Sequence, residues 1–193
     1  MEPVRCGWVG DDPLMIRYHD EEWGTPVHND RKLFEYMVLD AFQAGLSWRT
    51  VLHKRAAFDL AFAHFEPELV MKFGENETAR LLANADIIRN RAKIEATVNN
   101  AARVLEVTRE FGSLELYLWQ FVSGGTIDHA YRRSTQIGAT SSESDVMSRD
   151  LKARGFKFMG STVCYAFMQS AGMVNDHLVS CFRYSQLKRK STS

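Results

Sequence analysis

Two pairs of histidine and cysteine residues, one near each end of the chain, have the side chains that bind zinc. His177 and Cys181 are four residues apart, and the pattern around them predicts a helix over 176–182, with both side chains on one face. Cys6 and His19 supply a second pair near the N-terminus. Together they would make a Cys2His2 set, which typically holds structural zinc tetrahedrally. Four protein ligands leave no position for water, so we expect one structural zinc ion joining the two terminal segments.

Simple burial is the alternative for each of these side chains. Cys6 would then be a buried thiol and His19 a core histidine with its hydrogen bonds satisfied. The chain has three cysteines, which cannot all pair, so a secreted disulfide framework is disfavoured. Cys164, in an apolar helical segment, is expected to be a buried thiol.

Aromatic residues gather in the N-terminal part of the chain: Trp8, Tyr18, Trp23 and Trp48. Aromatic side chains usually belong to the core, but Trp8 and Tyr18 fall in or near the turn-rich sequence 7–13, where a core position is less natural. A pocket lined by flat aromatic faces suits a base flipped out of DNA. It suits a cationic base best, because stacking and cation–π attraction then add.

Asp40 is a single carboxylate inside the apolar stretch 39–42. Charged groups are rarely buried without a purpose or a partner. At the floor of an aromatic pocket, Asp40 could accept a hydrogen bond from an exocyclic amine and favour a cationic ring. Periodicity alone supports equally a position on the solvent-facing side of its helix.

The overall charge argues against a strongly basic DNA-binding protein. Lys and Arg number 24, and Asp and Glu also number 24, so any DNA contact must use a local patch. Such runs are more often simply solvated helix faces. The candidate basic residues are Arg89, Arg91, Lys93, Arg149, Lys152, Arg154 and Lys157.

Apolar residues recur at helical spacing along most of the chain, which predicts an all-α fold. A first long helix should follow a cap at Asp30 and end at Gly45, and Ser47 should cap the next, to about residue 64. Asn76 is expected to cap a short helix over 77–82. Further helices are predicted to begin at Pro67 and at Ser113 and to cover 89–111, 162–171 and 176–182. A long loop is predicted over 126–142, followed by a helix that ends at 154.

The chain is expected to form one unit over 1–187, with two helical lobes as an option, and a loose tail over 188–193. No stretch of the sequence is apolar enough for a membrane span, and the start lacks an apolar signal region. We therefore expect a cytoplasmic protein that does not contact membranes.

Several ordered motifs resemble the constitutive bacterial 3-methyladenine DNA glycosylase I family, and the resemblance spans roughly residues 6–181. The matching residues are Cys6-Gly7-Trp8, Asp12-Pro13-Leu14, Tyr18-His19-Asp20, Glu22-Trp23-Gly24, Gln43-Ala44-Gly45-Leu46-Ser47-Trp48, Gly155-Phe156-Lys157-Phe158-Met159-Gly160 and Asn175-Asp176-His177.

The resemblance implies a helix-hairpin-helix fold and a monomeric enzyme that excises 3-methyladenine from alkylated double-stranded DNA, leaving an abasic site. It places zinc on Cys6, His19, His177 and Cys181, and the base pocket at Trp8, Tyr18, Trp48 and the acidic position 40. It puts the hairpin at 81–93, where backbone amides at a helix start could bind phosphate, and Gln43, Gly45 and Leu46 beside the gap left by the flipped base, with Leu46 as a wedge. The DNA-contact hypothesis also includes Arg89, Arg91, Lys93 and Lys157.

Two positions depart from the family pattern. The family has Glu where this chain has Asp40, which shortens the side chain by one methylene, and small or polar residues where Phe42 stands. In addition, the predicted hairpin contains no glycine. The departure at Asp40 leaves open an alternative function, a protein that binds alkylation damage without turnover. A hydrolase that uses zinc directly would require one of the four ligands not to bind.

Overall fold

The computed structural model describes residues 3–190 and the side chains of residues 3–188, and within this range the protein is mostly helical. The ten α-helices of this range are α1 Pro13–Glu21, α2 Asp30–Gln43, α3 Trp48–Ala61, α4 Pro67–Val70, α5 Glu75–Ala83, α6 Arg91–Phe111, α7 Leu114–Trp119, α8 Ser142–Ala153, α9 Ser161–Ser170 and α10 Phe182–Lys190. Short 3-10 turns cover Ala63–Phe65, Gln120–Val122 and Ser134–Gln136. The predicted all-α class is therefore confirmed at the level of a mostly helical fold.

The first helix, α1, starts where the sequence analysis expected turns. The Asp12 side chain accepts hydrogen bonds from the backbone N–H groups of Leu14 and Met15, and Pro13 occupies the first turn. An N-cap aspartate followed by proline is a strong start signal. Tyr18 therefore lies on a helix, buried, and not in turn-rich sequence.

The long helix α2 has the predicted length but a different cap. Asn29, not Asp30, accepts from the backbone N–H of Lys32. The carboxylate of Asp30 accepts instead from the N–H groups of Leu114 and Glu115, at the start of α7. Asp30 thus joins two helices that are distant in sequence.

The pair α5 and α6 forms a helical hairpin through the connection 84–90. The predicted cap at Asn76 is wrong, because α5 begins after Gly74, whose N–H donates to the Glu77 carboxylate. Asn90 caps α6 by accepting from the N–H of Lys93, so the helix begins two residues later than predicted.

The last part of the chain corrects another prediction. Residues 176–182 do not form a helix: Val174–Asn175 pairs in parallel with Ile127–Asp128, and a turn follows before α10 begins at Phe182. The segment predicted as a long loop therefore supplies one short strand. The helix α10 continues through Lys190, past the predicted start of the tail, and residues 191–193 of that tail lie outside the described range.

The buried side chains form two clusters. The larger one is built around α2 and α9 and contains most of the buried aliphatic and aromatic residues. The smaller one surrounds Cys6, Tyr18, Trp23 and Cys181. Trp48 packs against both, so it lies where the main core meets the N- and C-terminal segments. None of the described helices is long and apolar enough to cross a bilayer.

Candidate active site and metal cluster

The four predicted metal ligands come together, all buried, with their ligand atoms within 4.8 Å of one another. Cys6 comes from the N-terminal segment, His19 from α1, and His177 and Cys181 from the turn before α10. The Cys181 sulfur lies 3.4 Å from His19 Nε2 and 3.5 Å from His177 Nδ1, and the Cys6 sulfur lies 3.7 Å from His177 Nδ1. The cluster could hold a metal ion, although its last two residues meet through a turn and not along a helix face.

Both histidines of the cluster are oriented by partners behind them. His19 Nδ1 lies 2.7 Å from Asp20 Oδ1, and Asp20 is itself bound by the guanidinium of Arg5. His177 Nε2 lies 3.0 Å from the carbonyl oxygen of Trp23. The other ring nitrogens, His19 Nε2 and His177 Nδ1, are thereby directed at the sulfurs, as in metal sites whose outer partners fix each imidazole.

The packing around His177 also explains why residue 24 is a glycine. Gly24 has φ +75°, and a Cβ at this position would lie 3.0 Å from the His177 ring. A side chain here would be strained by its backbone and would press on the imidazole. The glycine therefore permits the close approach that places His177 in the cluster.

A cavity of about 530 Å³ opens beside this cluster. Its walls come from the N-terminal turn, α1, α2, α3 and α9, with one residue, Ile137, from the segment predicted as a loop. All four predicted base-pocket residues line it: Trp8, Tyr18, Asp40 and Trp48. The structure therefore brings together side chains that the sequence analysis grouped by type.

The aromatic walls of the cavity differ in how firmly they are held. Tyr18 is buried, and its ring centroid lies 5.0 Å from that of Trp48. Trp8 is 40% exposed, with its ring edge-on to His19 and Trp23 at 5.4 and 5.0 Å. Trp8 thus rests on a member of the metal cluster, so the cluster supports one side of the cavity.

Asp40 lies at the buried end of the cavity and is only 2% exposed. Of its two predicted positions, the pocket is therefore confirmed and the solvent-facing side of the helix is wrong. Its Oδ2 has no hydrogen-bond partner among the described residues, and the same holds for Nε1 of Trp48. Burial raises the pKa of Asp40 to about 8, against a smaller lowering by Ser170. An unpartnered buried acceptor is costly, which is typical of an atom that binds a ligand.

The mouth of the cavity carries the turn 43–46. The N–H of Leu46 donates to the Gln43 carbonyl, and Gly45 has φ +84°, which is the glycine position of a type II turn. Gln43 lines the cavity and Leu46 is 42% exposed. The turn therefore presents an apolar side chain to solvent beside the pocket.

Lys93, one of the predicted DNA contacts, is largely buried next to the turn 43–46. It is 7% exposed, and its ammonium donates to the carbonyl oxygens of Phe42 at 2.8 Å and Ala44 at 2.6 Å. The ammonium therefore neutralises the C-terminal end of α2 and fixes the turn that follows. That Lys93 also contacts DNA stays a prediction.

The other basic candidates lie at the surface. Arg89 and Lys157 are exposed. Arg91 pairs with Glu75 and Glu95, and Arg154 pairs with Glu110 and Asp150. Exposed ion pairs are weak, so Arg91, whose side chain is 49% exposed, is more available to a phosphate than Arg154, whose side chain is 28% exposed.

Several residues at the cavity were not predicted from the sequence. Asp12 accepts from His53 and from Arg49, which lines the cavity, and the hydrogen bond from His53 lowers the pKa of Asp12 to about 2. Ser170 and Gln169 also line the cavity from the end of α9. The Asp12-Pro13 start signal could have placed Asp12, but serine and glutamine in an apolar helix give no comparable signal.

Similarity to known proteins agrees with this arrangement. The family model described as methyladenine glycosylase matches residues 8–184. The protein belongs to the methyladenine glycosylase family. A DNA-3-methyladenine glycosylase 1 from Escherichia coli (strain K12) is 44% identical over 180 residues, which make up 93% of this chain and 96% of that one. The family predicted from the motifs is confirmed.

Solved structures of 3-methyladenine DNA glycosylase I share the same fold. One crystal structure superposes with a TM-score of 0.91 at 44% identity and covers 93% of this chain and 98% of its own. A variant of such an enzyme, solved in complex with 3-methyladenine, gives a TM-score of 0.90 at 34% identity, covering 92% of this chain and 96% of its own. The methyladenine glycosylase fold therefore extends over nearly the whole described chain.

Proposed function

We propose that this protein is a monofunctional DNA N-glycosylase that flips 3-methyladenine out of alkylated duplex DNA and hydrolyses its N-glycosidic bond, leaving an abasic site. The observation that carries the proposal is the unpartnered Oδ2 of Asp40, buried at the end of an aromatic cavity. Membership in the methyladenine glycosylase family supports the same conclusion.

Recognition would use the charge of the lesion. A 3-methyladenine nucleotide carries a cationic ring, which stacks favourably on the faces of Trp8, Tyr18 and Trp48. Asp40 offers a hydrogen-bond acceptor to the exocyclic amine, and the cation favours the ionised carboxylate. Normal adenine lacks the cation and is held in the duplex by pairing and stacking, so it costs more to flip and gains less in the pocket.

Hydrolysis then needs little acid catalysis. The leaving base is already cationic, and its departure neutralises it, so no strong general acid is required. Water attacks the sugar as the bond breaks. Asp40 and the aromatic walls hold the base in place and exclude solvent from it, and their role is to bind the cation and orient the glycosidic bond.

The DNA would lie across the mouth of the cavity. Leu46, exposed on a turn fixed by Lys93, is placed to fill the gap left by the flipped base. The helical hairpin of α5 and α6 would serve as the helix-hairpin-helix element and bind backbone phosphate, with help from Arg89, Arg91 and Lys157. Asn90 already accepts from one amide at this helix start. We infer that the protein works as a monomer on chromosomal DNA in the bacterial cytoplasm.

Cys6, His19, His177 and Cys181 are proposed to hold one structural zinc ion. A tetrahedral site with Zn–S near 2.3 Å and Zn–N near 2.0 Å requires about 3.5 Å between a sulfur and a nitrogen. The separations of 3.4, 3.5 and 3.7 Å between these sulfur and nitrogen atoms fit this requirement. A bound zinc ion would supply charge neutralisation and a fixed tetrahedral link between the chain ends. The residues themselves position Trp8 through His19 and leave zinc no role in the hydrolysis.

The test is release of free 3-methyladenine from methylated duplex DNA by the purified protein, followed by chromatography. We expect release from methylated DNA and none from untreated DNA, and we expect the Asp40→Asn variant to release the base more slowly. Binding to methylated DNA without release by the unaltered protein would overturn the proposal and favour a damage-binding protein.

A further inference from the structure

Arg49 places a positive charge in the wall of the candidate base pocket. It lies in the first turn of α3, three residues after Leu46, and lines the cavity together with Trp48. The Arg49 side chain is 63% exposed, so its guanidinium lies where the cavity opens to solvent. It was not among the basic residues predicted to contact DNA.

A buried carboxylate holds this guanidinium in place. Arg49 Nε lies 2.8 Å from Oδ2 of Asp12, whose side chain is only 5% exposed. The same oxygen accepts a hydrogen bond from His53 Nε2 at 2.7 Å. Oδ1 of Asp12 accepts from the backbone N–H groups of Leu14 and Met15, at the start of α1. Asp12 is therefore fixed by two helices and is a rigid anchor for Arg49.

The ion pair uses only one edge of the guanidinium. No hydrogen bond joins the Nη groups of Arg49 to the part of the chain that the structure describes. These groups form the planar fork with which arginine binds a phosphate through two parallel hydrogen bonds. Because the Nε edge is already anchored, less side-chain entropy is lost when the fork binds. Arg49 is therefore prepared for an anionic partner from outside the chain.

The charge of Arg49 also indicates which anion that partner is. The base in the proposed function is cationic, and a guanidinium in the wall of its pocket repels it unless an anion is near. The Asp12 carboxylate is one such anion, but it is already bound by His53 and by the start of α1. A flipped nucleotide brings another, because its phosphodiester groups stay at the mouth when the base enters the pocket.

We propose that Arg49 binds a phosphodiester next to the flipped nucleotide, with Asp12 as the positioning residue that anchors the guanidinium. The proposal rests on the proposed function and adds to it a contact that forms only with an extruded nucleotide. Leu46 fills the gap in the duplex, and Arg49, one turn further along the chain, holds the extruded backbone. The phosphate neutralises the guanidinium and so removes its repulsion of the cationic base.

The test removes the two partners of this contact one at a time. Synthetic duplexes carry a tetrahydrofuran nucleotide, a stable analogue of the abasic product, and each phosphate beside it is replaced singly by a neutral methylphosphonate. Affinities of Arg49→Met are measured by fluorescence anisotropy, with an undamaged duplex for comparison. The matched control is Arg17→Met, since Arg17 is an exposed arginine of α1 that pairs with Glu21 and does not line the cavity.

We expect Arg49→Met to bind the abasic duplex about tenfold more weakly than the unaltered protein, and to bind undamaged duplex equally well. One methylphosphonate should weaken binding by the unaltered protein and by Arg17→Met about tenfold and leave binding by Arg49→Met unchanged. Asp12→Asn keeps an oxygen to cap α1 but lacks the charge that anchors Arg49. It should bind the abasic duplex more weakly and lose part of its sensitivity to the same methylphosphonate.

Unchanged affinity of Arg49→Met for the abasic duplex would overturn the proposal. The same conclusion would follow if every methylphosphonate weakened Arg49→Met as much as it weakens the unaltered protein, or if Arg49→Met lost as much affinity for undamaged duplex. A general packing defect is distinguished by its insensitivity to which phosphate is neutral. These measurements need no turnover, so a protein that binds the abasic duplex and releases no base would refute the proposed function and still report on Arg49.

Discussion

The Cys/His cluster and the aromatic cavity, the candidate metal site and the candidate base pocket, are neighbouring buried sites that differ in how many of their polar groups have a partner within the protein. In the cluster, each histidine has a partner behind its ring, Asp20 or the Trp23 carbonyl, and its other nitrogen faces a sulfur. In the pocket, Asp40 Oδ2 and Trp48 Nε1 are buried and have no hydrogen-bond partner within the described part of the chain. Buried polar groups are normally paired, so the pocket is the site left incomplete by the chain.

The contrast indicates how each site relates to stability. A fully arranged ligand set contributes to folding once its ion is bound. An acceptor held ready for a ligand costs folding free energy, which is typical of binding sites. Substitutions should therefore destabilise the protein at the cluster and stabilise it at the bottom of the pocket.

The largest effect is expected at the cluster. Cys181→Ala should lose bound zinc and several kcal/mol of unfolding free energy, because the link between the chain ends is broken and the remaining ligands stay buried. The matched control is Cys164→Ala, since Cys164 is also buried but its sulfur faces the Met159 carbonyl. The control should keep its zinc and lose about 1 to 2 kcal/mol. Elemental analysis and urea denaturation measure both quantities.

Full zinc content in Cys181→Ala, or equal destabilisation of the two variants, would contradict the assignment. Chelation offers a second route: zinc should leave together with the folded structure, and Trp8, which rests on His19, should lose its fixed environment. Tryptophan fluorescence during chelation records this change alongside circular dichroism.

The second effect concerns the pH dependence of stability at Asp40. Its pKa is about 8 in the folded protein, against 3.8 for an ordinary aspartate, which stands for the unfolded chain. Between these two pH values the folded state therefore binds more protons than the unfolded state. The free energy of unfolding should therefore fall as pH rises from about 4 to about 8, by at most about 1.4 kcal/mol per pH unit, and level off above pH 8. Asp40→Asn lacks this slope.

Calorimetry should accordingly show that the melting temperature of Asp40→Asn, relative to the unaltered protein, increases with pH across this window. Its rate of base release should fall about 10- to 100-fold, the value of a hydrogen bond to a charged group. A difference in melting temperature that stays constant with pH would show that Asp40 is ionised in the empty pocket.

The sequence was sufficient for the features that depend on residue type and local pattern. Helix starts at Ser47 and Pro67, the buried Cys164 and the four residues of the Cys/His cluster were all predicted, and so were the aromatic residues that line the cavity. Local patterns failed where a side chain acts at a distance. Asp30 was predicted to cap its own helix but accepts from the start of α7, because its partners are brought near only by tertiary packing.

The same reason explains the errors around the site. His177 and Cys181 have helical spacing, yet a turn joins them, because residues 174–175 pair with 127–128 and interrupt the helical path. For Asp40, periodicity supported a buried and an exposed position equally, and only the packing of α9 against α2 decides. Ser170 gave no signal at all, since a serine in an apolar helix has no predictable partner.

The smallest effect tests whether the Lys93 ammonium serves only the hydrogen bonds within the protein or also contacts DNA. Lys93→Met leaves the carbonyls of Phe42 and Ala44 without their donor, so we expect a loss of about 1 to 3 kcal/mol in stability and about a tenfold lower rate of release from DNA, because the turn carrying Leu46 loosens. The turn would then be fixed by the protein alone, and the salt dependence of duplex binding should not change.

Arg89→Met is the matched control, because it removes an exposed cation. In this variant the slope of the logarithm of the binding constant against the logarithm of the salt concentration should fall by about one ion. If Lys93→Met reduces the slope as much as Arg89→Met does, its ammonium reaches phosphate in the complex, and the turn is held by DNA as well as by the protein.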